Sequence, residues 1–222
     1  MANYNVVEIF SSINGEGPRS GQLALFIRMQ GCNLDCGYCD TKWANEEDCR
    51  SHWTSTEEIM DVVRLMHIKN ITLTGGEPLM QENIMELLEA LAADRELRVE
   101  IETNGSIDLR PFSKIENAPA FNMDYKLPGS GMEEYMLPDN FACLTAKDTV
   151  KFVVKDYEDL LRARELIGEY DLTNRCHVFL SPVYGEIDPE DIVNFMKSNN
   201  MNDVTLQLQI HKVIWDSEMR GV

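Results

Sequence analysis

Strand-like runs recur in this chain roughly every 22–30 residues with helical patterns between them, the pitch of a βα unit. No other feature restricts the fold as much. The clearest runs are residues 71–74 (ITLT), 97–104 (LRVEIETN), 149–156 (TVKFVVKD) and 177–183 (HVFLSPV). Residues 23–30 (LALFIRMQ), 120–126 (AFNMDYK) and 203–210 (DVTLQLQI) complete the series. Between them, Ile84, Leu87, Leu88 and Leu91 share one helical face, and a second helix carries Leu160, Leu161 and Ile167. Asp156 is placed to cap that helix, and Asp188-Pro189 opens another. Thr54 and Ser55 each precede a Glu by three residues, the pattern of a capping box. The count is about six βα-like units, fewer than the eight that close a barrel. The expected fold is therefore α/β, a partial and open TIM-like barrel of (βα)6 type. Residues 127–140 form the one long irregular stretch.

The length of 222 residues suits a single domain, residues 1–222. The first ten residues lack the basic and apolar regions of a signal peptide. No apolar run approaches the ~18 residues of a membrane span. These features give a cytoplasmic expectation, in which cysteines stay reduced and serve metals or catalysis. The net charge of −18 argues against nucleic acid and anionic membranes as partners.

Three cysteines crowd into GCNLDCGYCD, at Cys32, Cys36 and Cys39. Thiolates suit zinc and iron–sulfur clusters. Three on one short loop can hold three corners of a [4Fe–4S] cluster, leaving the fourth iron for S-adenosylmethionine. The competing reading is a structural zinc site completed by Cys49 or His52. Cys143 and Cys176 read as small buried hydrophobes, and Met60, Met80 and Met85 as core filler. The glycines of TGGEP, Gly75 and Gly76, follow a strand, where backbone N–H groups can approach a ligand closely. Taken alone they also fit a plain tight turn. The cysteine loop, TGGEP, ETNG and DYK all follow strands, so they converge on one end of the expected barrel.

The C-x-x-x-C-x-x-C spacing, with Tyr38 before the last cysteine, together with TGGEP resembles the radical S-adenosylmethionine superfamily. NGEG (14–17), FIR (26–28), CDT (39–41), ETNG, DYKLPGSGM and the terminal HKVIW…RGV resemble one family within it, the 7-carboxy-7-deazaguanine synthases. The resemblance runs over the whole chain. It implies conversion of 6-carboxy-5,6,7,8-tetrahydropterin to 7-carboxy-7-deazaguanine and ammonia, in 7-deazapurine and queuosine biosynthesis for tRNA modification. The implied route is hydrogen abstraction at C6 by a 5′-deoxyadenosyl radical, followed by ring contraction. The implied cofactors are a [4Fe–4S] cluster on Cys32, Cys36 and Cys39, S-adenosylmethionine, and Mg²⁺ on Thr41. Cofactor-binding roles fall on Tyr38, Gly75, Gly76, Glu77, Glu102, Asn104, Asp124, Tyr125 and Lys126. Substrate-binding roles fall on Ile13, Asn14, Gly15, Arg28, Thr74 and His211, with Lys212 beside it. A homodimer and a reductant such as flavodoxin or ferredoxin are also implied. The chain departs from the family at Asn14, where many members carry Gln, and at Asp124-Tyr125, where many carry Ser-Pro. On the same core, the alternative activity is an activase that installs a glycyl radical on a partner protein.

Overall fold

In the computed structural model, which describes residues 2–46, 48–216 and 219–222, a single nine-stranded sheet organises the chain. The strands are β1 (Asn3–Ile13), β2 (Leu23–Met29), β3 (His52–Ser55), β4 (Asn70–Gly75), β5 (Arg98–Thr103), β6 (Ala120–Tyr125), β7 (Thr149–Val154), β8 (His177–Pro182) and β9 (Val204–Leu206). Their order is β3-β1-β2-β4-β5-β6-β7-β8-β9. From β2 to β9 every pairing is parallel, whereas β1 runs antiparallel to both β2 and β3. The sheet does not close, so the open-barrel expectation stands.

Seven parallel strands need six crossovers. Four of these carry helices: α1 (Thr56–Met66), α2 (Ile84–Ala93), α3 (Tyr157–Glu169) and α4 (Pro189–Ser198). The other two, β5–β6 and β6–β7, carry only 3-10 turns. A short α5 (His211–Ile214) follows β9. Ser55, rather than Thr54, caps α1: its hydroxyl accepts from Glu58 N while the Glu58 carboxylate accepts from Ser55 N. Asp156 and Asp188 cap α3 and α4.

Strand residues point alternately to two faces. On one face Leu25, Ile27, Ile71, Leu73, Ile101, Met123, Val150, Phe152 and Leu180 join the apolar residues of α1–α4 in one core. The other face is polar. Its residues pair across the strands in register: Arg28 with Thr74, Thr72 with Glu100, Glu102 with Asn122, and Asp124 with Lys151. The β1–β2 loop lies against this polar face. Asn14 Oδ1 accepts from Thr72 Oγ1 on β4 (2.9 Å), Arg19 pairs with Glu100 on β5 (3.3 Å), and Gly17 N donates to Gln207 Oε1 beyond β9 (2.7 Å).

Candidate functional site

The polar face and the segments beyond the strand ends enclose a cavity of about 920 Å³. Its lining takes Arg28 from β2, Thr74 from β4, Glu102 from β5, Asp124 from β6 and Lys151 from β7. The cysteine loop, Gly15–Gly17, His211, Lys212 and Met219–Val222 complete it. The lining holds six cations (Arg28, Lys42, Lys126, Lys151, Lys212 and Arg220) and six anions (Glu8, Glu16, Asp40, Glu102, Asp124 and Glu186). In a chain of charge −18, a lining with balanced charges repels an anion less than the chain's net charge would.

The cysteine loop leaves β2 through Gly31, whose φ of 92° favours glycine. It is pinned from two sides. Gly37 N donates to Ser130 O (3.1 Å), and Tyr38 Oη to Val153 O (3.2 Å). Thus the irregular stretch 127–140, three successive 3-10 turns, supports this loop. Cys36 is buried, while Cys32 and Cys39 are half-buried. Leu34 N (3.4 Å) and Asn104 Nδ2 (3.7 Å) donate to Cys32 Sγ, and Asn104 Nδ2 also reaches Asn33 Oδ1 (3.0 Å). Burial pushes the Cys32 and Cys36 thiols up from their ordinary value. Metal binding there must displace their protons.

Gly75 and Gly76 line the cavity and also allow two loops to approach closely. A Cβ on Gly75 would strike the Met29 carbonyl oxygen, and one on Gly76 the Gly31 carbonyl oxygen. Gly76 N donates to Met29 O (3.3 Å) and Glu77 N to Gly31 O (2.8 Å). The pair packs the β4 loop against the root of the cysteine loop, and these N–H groups are spent on protein carbonyls. Glu77 does not line the cavity. Its carboxylate is fully buried and accepts from Leu79 N (3.0 Å), Thr103 Oγ1 (3.0 Å) and Asn104 N (2.7 Å). It therefore fixes Asn104, the residue that reaches Cys32.

Two further residues sit away from the cavity. Asn14 turns its side chain to Thr72, and Tyr125 stacks on Phe141 in the core at a centroid distance of 5.2 Å. Thr41 stands at the head of a 3-10 turn, but its hydroxyl makes no capping bond and lies 3.6 Å from Cys39 Sγ. Arg28 gives Nε to Glu8 (2.8 Å) and faces the rings of Phe10 and Trp43. Burial holds His211 below its ordinary value, and its ring packs against Gly15. Lys212 pairs with Asp40 (3.1 Å) and sits over the ring of Tyr184. That ammonium outweighs burial and holds the Asp40 carboxyl below the usual range.

Sequence reasoning missed Lys151, Glu8 and the pairing role of Glu16. Lys151 Nζ lies 2.6 Å from Glu16 Oε2 and 3.4 Å from Asp124 Oδ2, while Lys126 Nζ lies 3.0 Å from Asp124 Oδ2. Burial opposes the charge on Lys126 and Lys151, but the facing carboxylates override it and raise both above the ordinary value. The strict alternation in TVKFVVKD does place Lys151 opposite the core residues, a signal that was available.

Among the described residues, no three His, Cys, Asp or Glu side chains gather closely enough to hold a single metal ion. Cys49 and His52 therefore do not complete a zinc set with the three thiols. The donor set at the loop is three thiols with two N–H donors reaching the Cys32 sulfur, the chemistry that suits an iron–sulfur cluster.

Comparison with known proteins bears on the same loop. The radical SAM superfamily profile matches residues 26–198. A 7-carboxy-7-deazaguanine synthase of Clostridium acetobutylicum is 56% identical over 220 residues, covering 99% of this chain and all of the relative. The chain belongs to the 7-carboxy-7-deazaguanine synthase family of the radical SAM superfamily. A synthase of the same name from Chlorobaculum tepidum is 34% identical, covering 100% of this chain and 98% of that one. The crystal structure of QueE from Escherichia coli shares the fold, with a TM-score of 0.73, 22% identity and 93% of each chain covered. Membership in the radical SAM superfamily implies a [4Fe–4S] cluster and S-adenosylmethionine.

Proposed function

We propose that the chain is a 7-carboxy-7-deazaguanine synthase, acting on 6-carboxy-5,6,7,8-tetrahydropterin in 7-deazapurine and queuosine biosynthesis for tRNA modification. The carrying observation is 56% identity to a synthase of that name across the full chain. All the relatives compared bear the same name, which disfavours the glycyl-radical activase. The continuous sheet and single core support treating residues 1–222 as one domain. Among the described residues no helix is long and apolar enough to cross a membrane, and a cytoplasmic homodimer fed by flavodoxin or ferredoxin belongs to this reading.

Cys32, Cys36 and Cys39 would hold the cluster, with Asn104 and the Leu34 amide bonding to the Cys32 sulfur. When bound, the cluster and S-adenosylmethionine would supply the radical chemistry for hydrogen abstraction at the pterin C6. The chain supplies position. Arg28 spends only Nε on protein among the described residues, leaving its terminal nitrogens for the substrate carboxylate. At an effective dielectric near 20 such a pair at ~4 Å is worth about 4 kcal/mol before desolvation. Thr41 would offer its hydroxyl to Mg²⁺, which would supply positive charge for the substrate carboxylate. His211 lines the cavity, and burial favours its neutral imidazole, which can both donate and accept. Gly75, Gly76, Glu102, Asn104, Asp124 and Lys126 line or frame the cofactor side. The test is anaerobic incubation with the pterin, S-adenosylmethionine, Mg²⁺ and a reductant. Formation of the deazapurine is expected; cofactor cleavage without it would refute the assignment.

A further inference from the structure

Lys151 lies outside every motif that carries the family resemblance, yet it sits where the two halves of the cavity meet. It stands on β7 opposite Asp124 on β6 in the parallel register. Its ammonium touches two carboxylates, Glu16 at 2.6 Å and Asp124 at 3.4 Å. Glu16 belongs to the β1–β2 loop, next to Ile13 and Gly15 on the substrate side. Asp124 stands beside Lys126 on the cofactor side. Lys151 thus joins parts of the chain 135 residues apart.

The two carboxylates share a second property. Glu16 Oε1 and Asp124 Oδ1 are both buried, and among the described residues neither accepts a hydrogen bond. Both residues line the cavity. A buried carboxylate oxygen without a donor is costly, and native proteins seldom leave one so. Among the described residues, Glu16 Oε2 pairs with Lys151 alone, Asp124 Oδ2 is shared by Lys126 (3.0 Å) and Lys151 (3.4 Å), and the second oxygen of each carboxylate has no protein donor.

We propose that Lys151 is a positioning residue that couples the two ligand sites, with Glu16 Oε1 accepting from the pterin and Asp124 Oδ1 from S-adenosylmethionine. A ligand on either side orders its own carboxylate and, through the shared ammonium, the other. The second ligand then meets a partner already in place and binds more tightly. This also gives the departure at Asp124 a role: a carboxylate there can answer Lys151, which a serine hydroxyl cannot do with a full charge. The inference rests on the proposed function only for the identity of the two ligands.

The test needs no turnover. The oxygen-free protein with its cluster oxidised is titrated with S-adenosylmethionine by calorimetry, with and without saturating 6-carboxytetrahydropterin. The pterin should tighten S-adenosylmethionine binding by about tenfold, within the usual range of coupling between sites. In Lys151→Met the factor should fall to near one, while Lys151→Arg keeps part of it. Glu16→Gln, which retains the shape of the side chain, should also lower the factor and stands in if Lys151→Met does not fold. A pterin that does not bind the unaltered protein refutes the functional assignment and the coupling with it. Two ligands that both bind, with no mutual effect or with the same factor in Lys151→Met, overturn the coupling alone.

Discussion

Acid should stabilise this protein between pH 8 and pH 6, and Glu77 should account for a measurable share. Burial pushes the Glu77 carboxyl up to about 7, against the pull of the hydrogen bonds from Asn104, Leu79 and Thr103. In the unfolded chain the group titrates near its ordinary value of 4.5. Between these values the folded state holds a proton that the unfolded state has released. Stability therefore rises as pH falls from 8, and levels off below the unfolded value. From pH 8 to pH 6 the linkage gives about 1.3 kcal/mol for this one group. Glu100, pushed up to about 7 by burial and by Glu102 despite its pairing with Arg19, adds a similar amount. The variant Glu77→Gln keeps the shape but cannot take up a proton. Urea unfolding in oxygen-free buffer at pH 6, 7 and 8 compares the two proteins. The gain on acidification should shrink by about 1.3 kcal/mol in the variant, roughly half of the total from the two groups. Parallel stability curves for the two proteins would refute the reasoning, because they would mean that Glu77 titrates alike folded and unfolded.

Other substitutions separate the roles of neighbouring residues. Arg28→Ala should lower kcat/KM for the pterin by about a hundredfold or more, from loss of a charge-assisted contact of roughly 3 kcal/mol. S-adenosylmethionine cleavage without substrate should change little; equal losses in both would remove Arg28 from substrate binding. Thr41→Ala should blunt stimulation by Mg²⁺, and an intact metal response would dismiss Thr41 as a ligand. Gly76→Ala drives a methyl group into the Gly31 carbonyl. It should cost about 1–3 kcal/mol of stability by overpacking and lower the iron content after reconstitution. A variant with normal iron and an unshifted melting temperature would show that the loop yields freely.

Much of the fold was legible because the parallel strands are short apolar runs with strong punctuation. What escaped is instructive. β1 mixes polar and apolar residues along NYNVVEIFSSI, and its burial depends on a partner strand read as the first of the series. β3 has only four residues, and the capping box that follows it drew attention to the helix instead. The β5–β6 and β6–β7 crossovers fit the βα spacing without helical periodicity, and 3-10 turns fill them. In the site, local motifs were readable and long-range pairing was not. The cysteines, Arg28 and Thr74 announce themselves by spacing or strand position, and all line the cavity. Glu77 carries a motif yet turns inward to Thr103 and Asn104, a choice that only the neighbouring strand reveals. Met80 is exposed rather than core filler.

The two faces of the sheet divide the energetic work, and this bears on how substitutions should be read. On the helix side, truncating Ile27, Leu73 or Phe152 removes fully buried apolar surface and leaves a cavity, so the loss falls on stability. On the polar side, Arg28, Asp124 and Lys151 contact one another or the cavity, and few of them support the core. Loss of one unbalances its partners: without Lys151, Glu16 loses its 2.6 Å ammonium partner while Asp124 keeps Lys126. Such a change alters where charges sit before a ligand arrives. The resulting defect belongs to binding and coupling more than to folding. A residue that β7 presents every second position therefore controls chemistry or packing according to parity alone, and Lys151 falls on the side of chemistry.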